Sequence, residues 1–408
     1  MSTLNCPLSQ KCSGCDLASE SRESLAEIRS KELADFQLPF AANTAPQADF
    51  VWIAASGLRD RLEFTLSAPH FGLFEKSDVI DSKPREIVDI AHCPILSDQL
   101  NDWLEEFRKD LPPIRERRSI RLRVSPTGLR GVWLDLSNED IRDLLDEGAW
   151  LQRRLDDGVI VEMGQKRKRV IKNPERKPDS PRAHRLADPV LEPWFETYST
   201  QASSPQKGEP LYGTIGTFTQ PGFRANHALV RTVLEHLTAA NKGSSHEIKH
   251  IAEFGAGIGN FTIPLLATGA RVDVFESDRL ALEALKLGVA KADDALKQPL
   301  SKNLTIHAGD FILSARASER ALGSASNSHR YDLVFVDPPR SGLGRFTDAI
   351  HSHAANAAWL YVSCYPESFA RDARALAEKG LAITRLTVVE QFPFTKHFEI
   401  VATFQRVI

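Results

Sequence analysis

A chain of 408 residues is longer than one ordinary hydrophobic core supports, so two or three domains are expected. Hydrophobic residues at 42% and charged residues at 26% give the balance of a soluble globular protein, and no uncharged apolar run reaches the ~18 residues of a membrane span. A net charge of −3 argues against a uniformly basic coat for nucleic acid but leaves room for a local basic face.

The N-terminus, "MSTLNCPLSQ", has no basic-then-apolar signal region, so the cytoplasm is the default compartment. Cysteines there are more often ligands or nucleophiles than disulfide partners. Cys6, Cys12 and Cys15 follow C-x5-C-x2-C spacing, and Cys93 comes much later in "AHCPIL". Three close thiols and one distant one suit a four-thiolate site, which an iron–sulfur cluster or tetrahedral zinc could occupy. A helical stretch, "ESLAEIRSKELADF", comes next.

From about 50 to 175 the pattern favours strands. "SIRLRV" and "VWLDL" alternate apolar and polar residues, with turn residues in "PTGLRG" between them. The stretch "GQKRKRVIKNPERKPDSPRAHR" holds nine Lys and Arg against two acids between Lys166 and Arg185. It reads as a basic hairpin tip leading into a linker. Such charge density would self-repel without an anionic partner, which makes it the leading candidate for phosphate contact. Arg59, Arg61 and the arginines of Ile114–Val124 are weaker candidates, since a charge run is often only a solvated face. "STQASSPQKGEP" is a second loop-like stretch, and a domain boundary is placed near 205.

Beyond it, short β-branched runs alternate with Ala/Leu-rich helical patterns, which predicts βαβ units and a mostly parallel sheet. In "HIAEFGAGIGNF" an apolar strand runs into Gly255, Gly257 and Gly259 and then a helix. Such a loop lets the backbone approach a ligand closely. The next strand, "RVDVFES", ends in Glu276, placed to accept the hydroxyls of a ribose. These features alone suit a nicotinamide dinucleotide or S-adenosylmethionine equally well. Asp337, in "VFVDPPRSGL", ends another apolar strand before two prolines, an arrangement typical of methyltransferases acting on a planar nitrogen base. Cys364 ends the strand "LYVSC" at the same sheet edge, and "VVEQFPFTKHFEIVATF" reads as an antiparallel hairpin whose loop leads to Glu399. A thiol and a carboxylate beside a methyl donor permit methylation of a pyrimidine at C5. The thiolate adds to C6, and a base later removes the C5 proton.

In order, "EFGAGIGNFTIPLL", "VDPPRSGL", "VSCYPESFARD" and "QFPFTKHFE" resemble the RNA uracil-5-methyltransferases, and "CPLSQKCSGCDL" with "HCPIL" resembles the iron–sulfur motif of their bacterial 23S ribosomal RNA members. The resemblance implies an α/β chain. A β-rich RNA-binding domain with an iron–sulfur loop would span 1–205, and a Rossmann-like class I methyltransferase domain with a terminal antiparallel hairpin 206–408. It implies S-adenosylmethionine as methyl donor, with Gln220, Gly255, Asn260, Glu276, Asp310 and Asp337 lining the donor and uracil pockets. Cys364 would be the nucleophile and Glu399 the base, while Cys6, Cys12, Cys15 and Cys93 would hold a [4Fe–4S] cluster. The expected substrate is a uridine of 23S ribosomal RNA, with transfer RNA or a non-catalytic RNA-binding role as alternatives. The chain is expected to be a monomer. Two positions depart from the family pattern: Tyr365 and Gly222 stand where Asn is usual, and Asn226 is a candidate to compensate for the latter. His397 is expected to orient or support rather than to act as a second base.

Overall fold

The computed structural model describes residues 3–42, 47–76, 85–136, 140–146, 148–164, 168–174, 183–198, 208–243, 247–309 and 331–406. Asp310 and the expected boundary at 205 lie outside the described residues.

The first sheet has the order β4-β3-β2-β5-β6-β7-β8-β9. Its strands are β2 (Arg61–Ser67), β3 (His70–Phe74), β4 (Ile87–Asp89), β5 (Arg118–Val124), β6 (Arg130–Leu134), β7 (Ile160–Met163), β8 (Lys168–Lys172) and β9 (His184–Ala187). Neighbours pair antiparallel except β6 and β7, which run parallel. The alternation in "SIRLRV" is realised directly: Ile120 and Leu122 are buried against Phe64, Trp103 and Phe107.

The basic stretch forms the expected hairpin, β8 pairing antiparallel with β9, but at its end the chain continues as strand rather than as a linker. Three of its described cations have partners inside the protein: Lys168 pairs with Asp188, Lys172 with Asp156 and Arg169 with Glu192. Residues 165–167 and 175–182 of that stretch lie outside the described residues. The arginines of β5 are likewise engaged. Arg121 pairs with Glu63 at 2.8 Å, and Arg123 is buried, donating to the carbonyls of Trp194, Thr214, Ile215 and Thr217. Arg123 thus ties the first sheet to the antiparallel pair β10 (Glu192–Thr197) and β11 (Glu209–Gly213).

The second sheet has the order β1-β17-β18-β16-β15-β12-β13-β14. It comprises β12 (His250–Phe254), β13 (Arg271–Glu276), β14 (Leu304–Ala308), β15 (Leu333–Val336), β16 (Ala358–Ser363), β17 (Leu381–Glu390) and β18 (Glu399–Arg406), joined by β1 (Asp49–Trp52). The run from β14 to β16 is parallel, and β18 inserts antiparallel between β16 and β17. β15 is buried along its whole length, as a strand covered on both faces must be, so its sequence "LVFV" is continuously apolar. Separate apolar clusters cover the two faces. This is the mostly parallel α/β architecture the sequence leads one to expect, with a β-rich N-terminal part. The carboxyl ends of β12, β13, β15 and β16 lie at one edge, where open α/β sheets bind ligands.

Candidate active site

The glycine loop leaves β12 through three left-handed positions: Gly255, Gly257 and Gly259 have φ of +80°, +56° and +94°. At Gly259 a Cβ would also lie 2.5 Å from Leu285 Cδ1, so both conformation and space demand glycine. The turn is locked to the tip of β13. Gly257 N–H donates to Glu276 Oε2 at 2.9 Å, and Glu276 Oε1 accepts from the amides of Ser277 (2.6 Å) and Asp278 (2.7 Å).

Asn260 exchanges side-chain amide bonds with Asn226 at 2.7 and 2.9 Å, and its carbonyl accepts from Thr197 Oγ1 at 2.6 Å. Asn226 donates in addition to Glu196 O. Its amide is therefore spent on joining the helix Phe223–Gly243 to the glycine loop, and it does not compensate for Gly222. Gly222 itself has a physical reason. A Cβ there would meet Leu58 O at 2.2 Å and Asp60 Oδ2 at 2.9 Å, because segment 220–223 runs tightly against 58–60.

Asp337, Cys364 and Glu399 come from three strand ends and act on one another. Burial pushes the Cys364 thiol up to about 11, helped by the charges of Glu399 and Asp337 and opposed by the positive charge of Arg340. Burial raises Asp337 to about 7. Glu399 opens β18 and is 2% exposed; burial and Asp337 hold its carboxyl well above the usual range, against Gln391 and Arg340. Burial thus favours the protonated form of both the thiol and the Glu399 carboxyl in the free protein, and at neutral pH the thiol keeps its proton. Glu253 on β12, also buried, is pushed up to about 8 by its burial.

Gln220 enters this site through a residue the sequence reading passed over. Gln391 donates from one amide nitrogen to Gln220 Oε1 at 2.9 Å and to Glu399 Oε1 at 2.7 Å. Arg340 was passed over too. Both stand inside the motifs that carried the family resemblance, and that was the available signal. Arg61 donates to Thr219 O at 2.6 Å, and its guanidinium lies 5.7 Å from the ring of Phe218, which is 74% exposed. His397 is held neutral by burial and by nearby Arg340, Arg59 and Arg29. Tyr365 serves through its backbone, as the extended residue before the helix Pro366–Ala377.

Cys6, Cys12, Cys15 and Cys93 line one cavity, together with Gly14, Arg59, Pro393 and Thr395. All four are free thiols. Burial raises Cys12 and Cys93 and pushes Cys15 up to about 12, and the sulfurs raise one another. Cys93 is held by Asn101, which accepts its N–H and donates to its carbonyl, both at 3.0 Å. As placed, no three or more His, Cys, Asp or Glu among the described residues form a group that could hold a metal ion.

The profile of the tRNA (uracil-5-)-methyltransferase family matches residues 210–407. An RNA methyltransferase of Bdellovibrio bacteriovorus is 33% identical over 411 residues, covering 100% of this chain and 96% of that relative. The 23S rRNA (uracil(1939)-C(5))-methyltransferase RlmD of Neisseria lactamica is 25% identical over 407 residues, 98% of this chain and 81% of its own. The crystal structure of Pyrococcus abyssi tRNA (uracil-54, C5)-methyltransferase, in complex with S-adenosyl-L-homocysteine, shares the fold at 19% identity. Its TM-score is 0.61, over 98% of this chain and 86% of that one. With the glycine loop, the Asp-Pro-Pro turn and the Cys/Glu pair on a common sheet edge, and relatives matching end to end, the chain belongs to the tRNA (uracil-5-)-methyltransferase family.

Proposed function

We propose that the protein transfers a methyl group from S-adenosylmethionine to C5 of a uridine in RNA, in 23S ribosomal RNA before transfer RNA. The observation that carries this is that Asp337, Cys364 and Glu399 stand at strand ends on the same sheet edge as the glycine loop. The ribosomal preference rests on relatives such as the Neisseria lactamica enzyme.

Gly255, Gly257, Asn260 and Glu276 would shape the donor pocket, and Gln220 and Asp337 would hold the uracil edge. When bound, S-adenosylmethionine supplies an electrophilic methyl group and a positive charge that favours ionised Asp337 and Glu399. The Cys364 thiol would give its proton to solvent, at a cost lowered by Arg340, and Sγ would bond to C6. The displaced C5–C6 electron pair, now enolate-like, would form the C5–CH3 bond as the donor's S–CH3 bond breaks, its pair staying on sulfur in the departing S-adenosylhomocysteine. Glu399 Oε then accepts the C5 proton. The freed pair re-forms the C5–C6 double bond, and the C6–S bond breaks to return the thiolate. Gln391 orients the Glu399 carboxylate during this step.

Cys6, Cys12, Cys15 and Cys93 would hold a [4Fe–4S] cluster. Their shared cavity and free thiols support a four-thiolate site, and the resemblance of their spacing to the iron–sulfur motif favours a cluster over zinc. The cluster would tie the N-terminal loop to the first sheet. A monomeric, cytoplasmic protein completes the reading.

The test is mass spectrometry of ribosomal and transfer RNA from cells with and without the protein. One 5-methyluridine should vanish from 23S ribosomal RNA on deletion and return with the wild-type chain, but not with Cys364→Ala. Loss from transfer RNA would move the substrate, and full activity of Cys364→Ala would defeat the mechanism.

A further inference from the structure

Gln391 and Glu399 stand at the two ends of one loop, and each is preceded by a residue that touches Arg29. Arg29 belongs to the N-terminal helix Arg22–Asp35, 361 residues before Glu390. It is 1% exposed. Its Nε donates to Glu390 Oε2 at 3.1 Å, and its Nη2 donates to Glu390 Oε1 at 3.4 Å and to Thr395 O at 2.6 Å. Its guanidinium also lies 4.7 Å from the centre of the Phe398 ring. One planar cation thus grips the end of β17, the middle of the loop and the residue before β18. Side chains alternate along a strand, so holding Glu390 and Phe398 from behind sets the direction of Gln391 and Glu399 in front.

A second feature shows that the loop is held from outside. Phe394 is fully buried with φ of +65°, a left-handed conformation that a bulky residue adopts only when its surroundings impose it. Those surroundings are the N-terminal segment together with Trp52 and Ile95. Leu17 N–H donates to Phe394 O at 2.8 Å, and the ring packs with Leu4, Ala18, Leu25 and Ile95.

We propose that Arg29 is a positioning residue for the proton-removal step: it clamps the loop from behind and so aims the Gln391–Glu399 pair at C5. This rests on the methyl transfer proposed above. Its signature is selective. Addition of Cys364 to C6 and methylation at C5 precede the step that Glu399 performs, so loosening the clamp slows removal of the C5 proton and spares the adduct.

The test compares wild type, Arg29→Met and Arg29→Lys on two RNAs. One carries uridine. The other carries 5-fluorouridine, which has no C5 proton to lose and so traps the Cys364 adduct in the presence of S-adenosylmethionine. Arg29→Met should turn over uridine RNA about 10- to 100-fold more slowly with little change in KM. It should still form the 5-fluorouridine adduct within about threefold of the wild-type rate, with the unreleased methylated adduct accumulating on uridine RNA. Arg29→Lys keeps the cation but not the fork, so it should fall between, and it decides by the same two rates if Arg29→Met does not fold. Adduct formation slowed as much as turnover, or turnover left unchanged, overturns the clamp. Failure of the wild type itself to trap 5-fluorouridine RNA overturns the methyl-transfer reading and the clamp with it.

Discussion

Gln391 Nε2 lies 2.7 Å from Glu399 Oε1 and 2.9 Å from Gln220 Oε1, so a single side-chain amide uses both its hydrogens to join the two pocket walls. Glu399 depends on it most, since its other oxygen, Oε2, has no hydrogen-bond partner among the described residues. Gln391→Leu keeps the volume and removes both donors. The expected result is a fall in kcat of about 10- to 100-fold with a smaller change in KM, because the bond orients the base rather than the whole substrate. Steady-state methylation of RNA with labelled donor measures it. An unchanged kcat would mean that the bond only fills space.

The state of Cys364 gives a pH signature. With its thiol pushed up to about 11, the thiolate is scarce at neutrality and grows about tenfold per pH unit from 7 toward 10. Alkylation of Cys364 by iodoacetamide in the free protein should follow that slope. The charge of Arg340 lowers the proton affinity of the sulfur, so Arg340→Met should slow alkylation severalfold at pH 9 and move the curve to higher pH. A rate that is already flat above pH 7 would mean that the thiolate is resident in the free protein.

What could be read in advance divides by distance along the chain. The glycine loop was legible because its demand is local: three positive φ values in five residues need glycine. Cys364 and Asp337 were legible because apolar runs end at them, and strand ends share an edge. Arg29 was silent, since its partners Glu390 and Thr395 lie more than 360 residues away and nothing around it marks it as buried. The basic stretch was legible in part. Its hairpin could be read locally, but Asp156, Asp188 and Glu192, which pair with three of its cations, stand outside it. The pairing of β1 with β17, which places residues 49–52 in the second sheet, was equally out of reach.

The cysteine cavity predicts its own occupant. Protein purified without oxygen should carry about four iron and four sulfide per chain. Cys93→Ser should lose most of both, since serine replaces a thiolate by a poor ligand for iron. Because Pro393 and Thr395 form part of the same wall, removal of the cluster by a chelator should also speed hydrogen exchange in the 391–398 loop. Elemental analysis that finds one zinc and no sulfide would assign the site to zinc instead.

Gly222 supplies a test against intuition, since Asn is the family's usual residue at that position. Restoring it by Gly222→Asn should harm this chain. The new Cβ would fall 2.2 Å from the carbonyl oxygen of Leu58, a backbone atom that moves only if segment 58–60 moves with it. That segment is not free to yield: Asp60 Oδ2 accepts from Phe223 N at 2.7 Å, and Asp60 N donates to Pro221 O at 3.0 Å. The substitution should therefore cost about 1–3 kcal/mol of stability, as overpacking does. It should also reduce activity through Gln220, two residues upstream. Urea unfolding of the variant beside the wild type reads the first effect, and RNA methylation at a temperature where both are folded reads the second. A variant as stable and active as the wild type would show that 58–60 can shift, and that the glycine is not required by this packing.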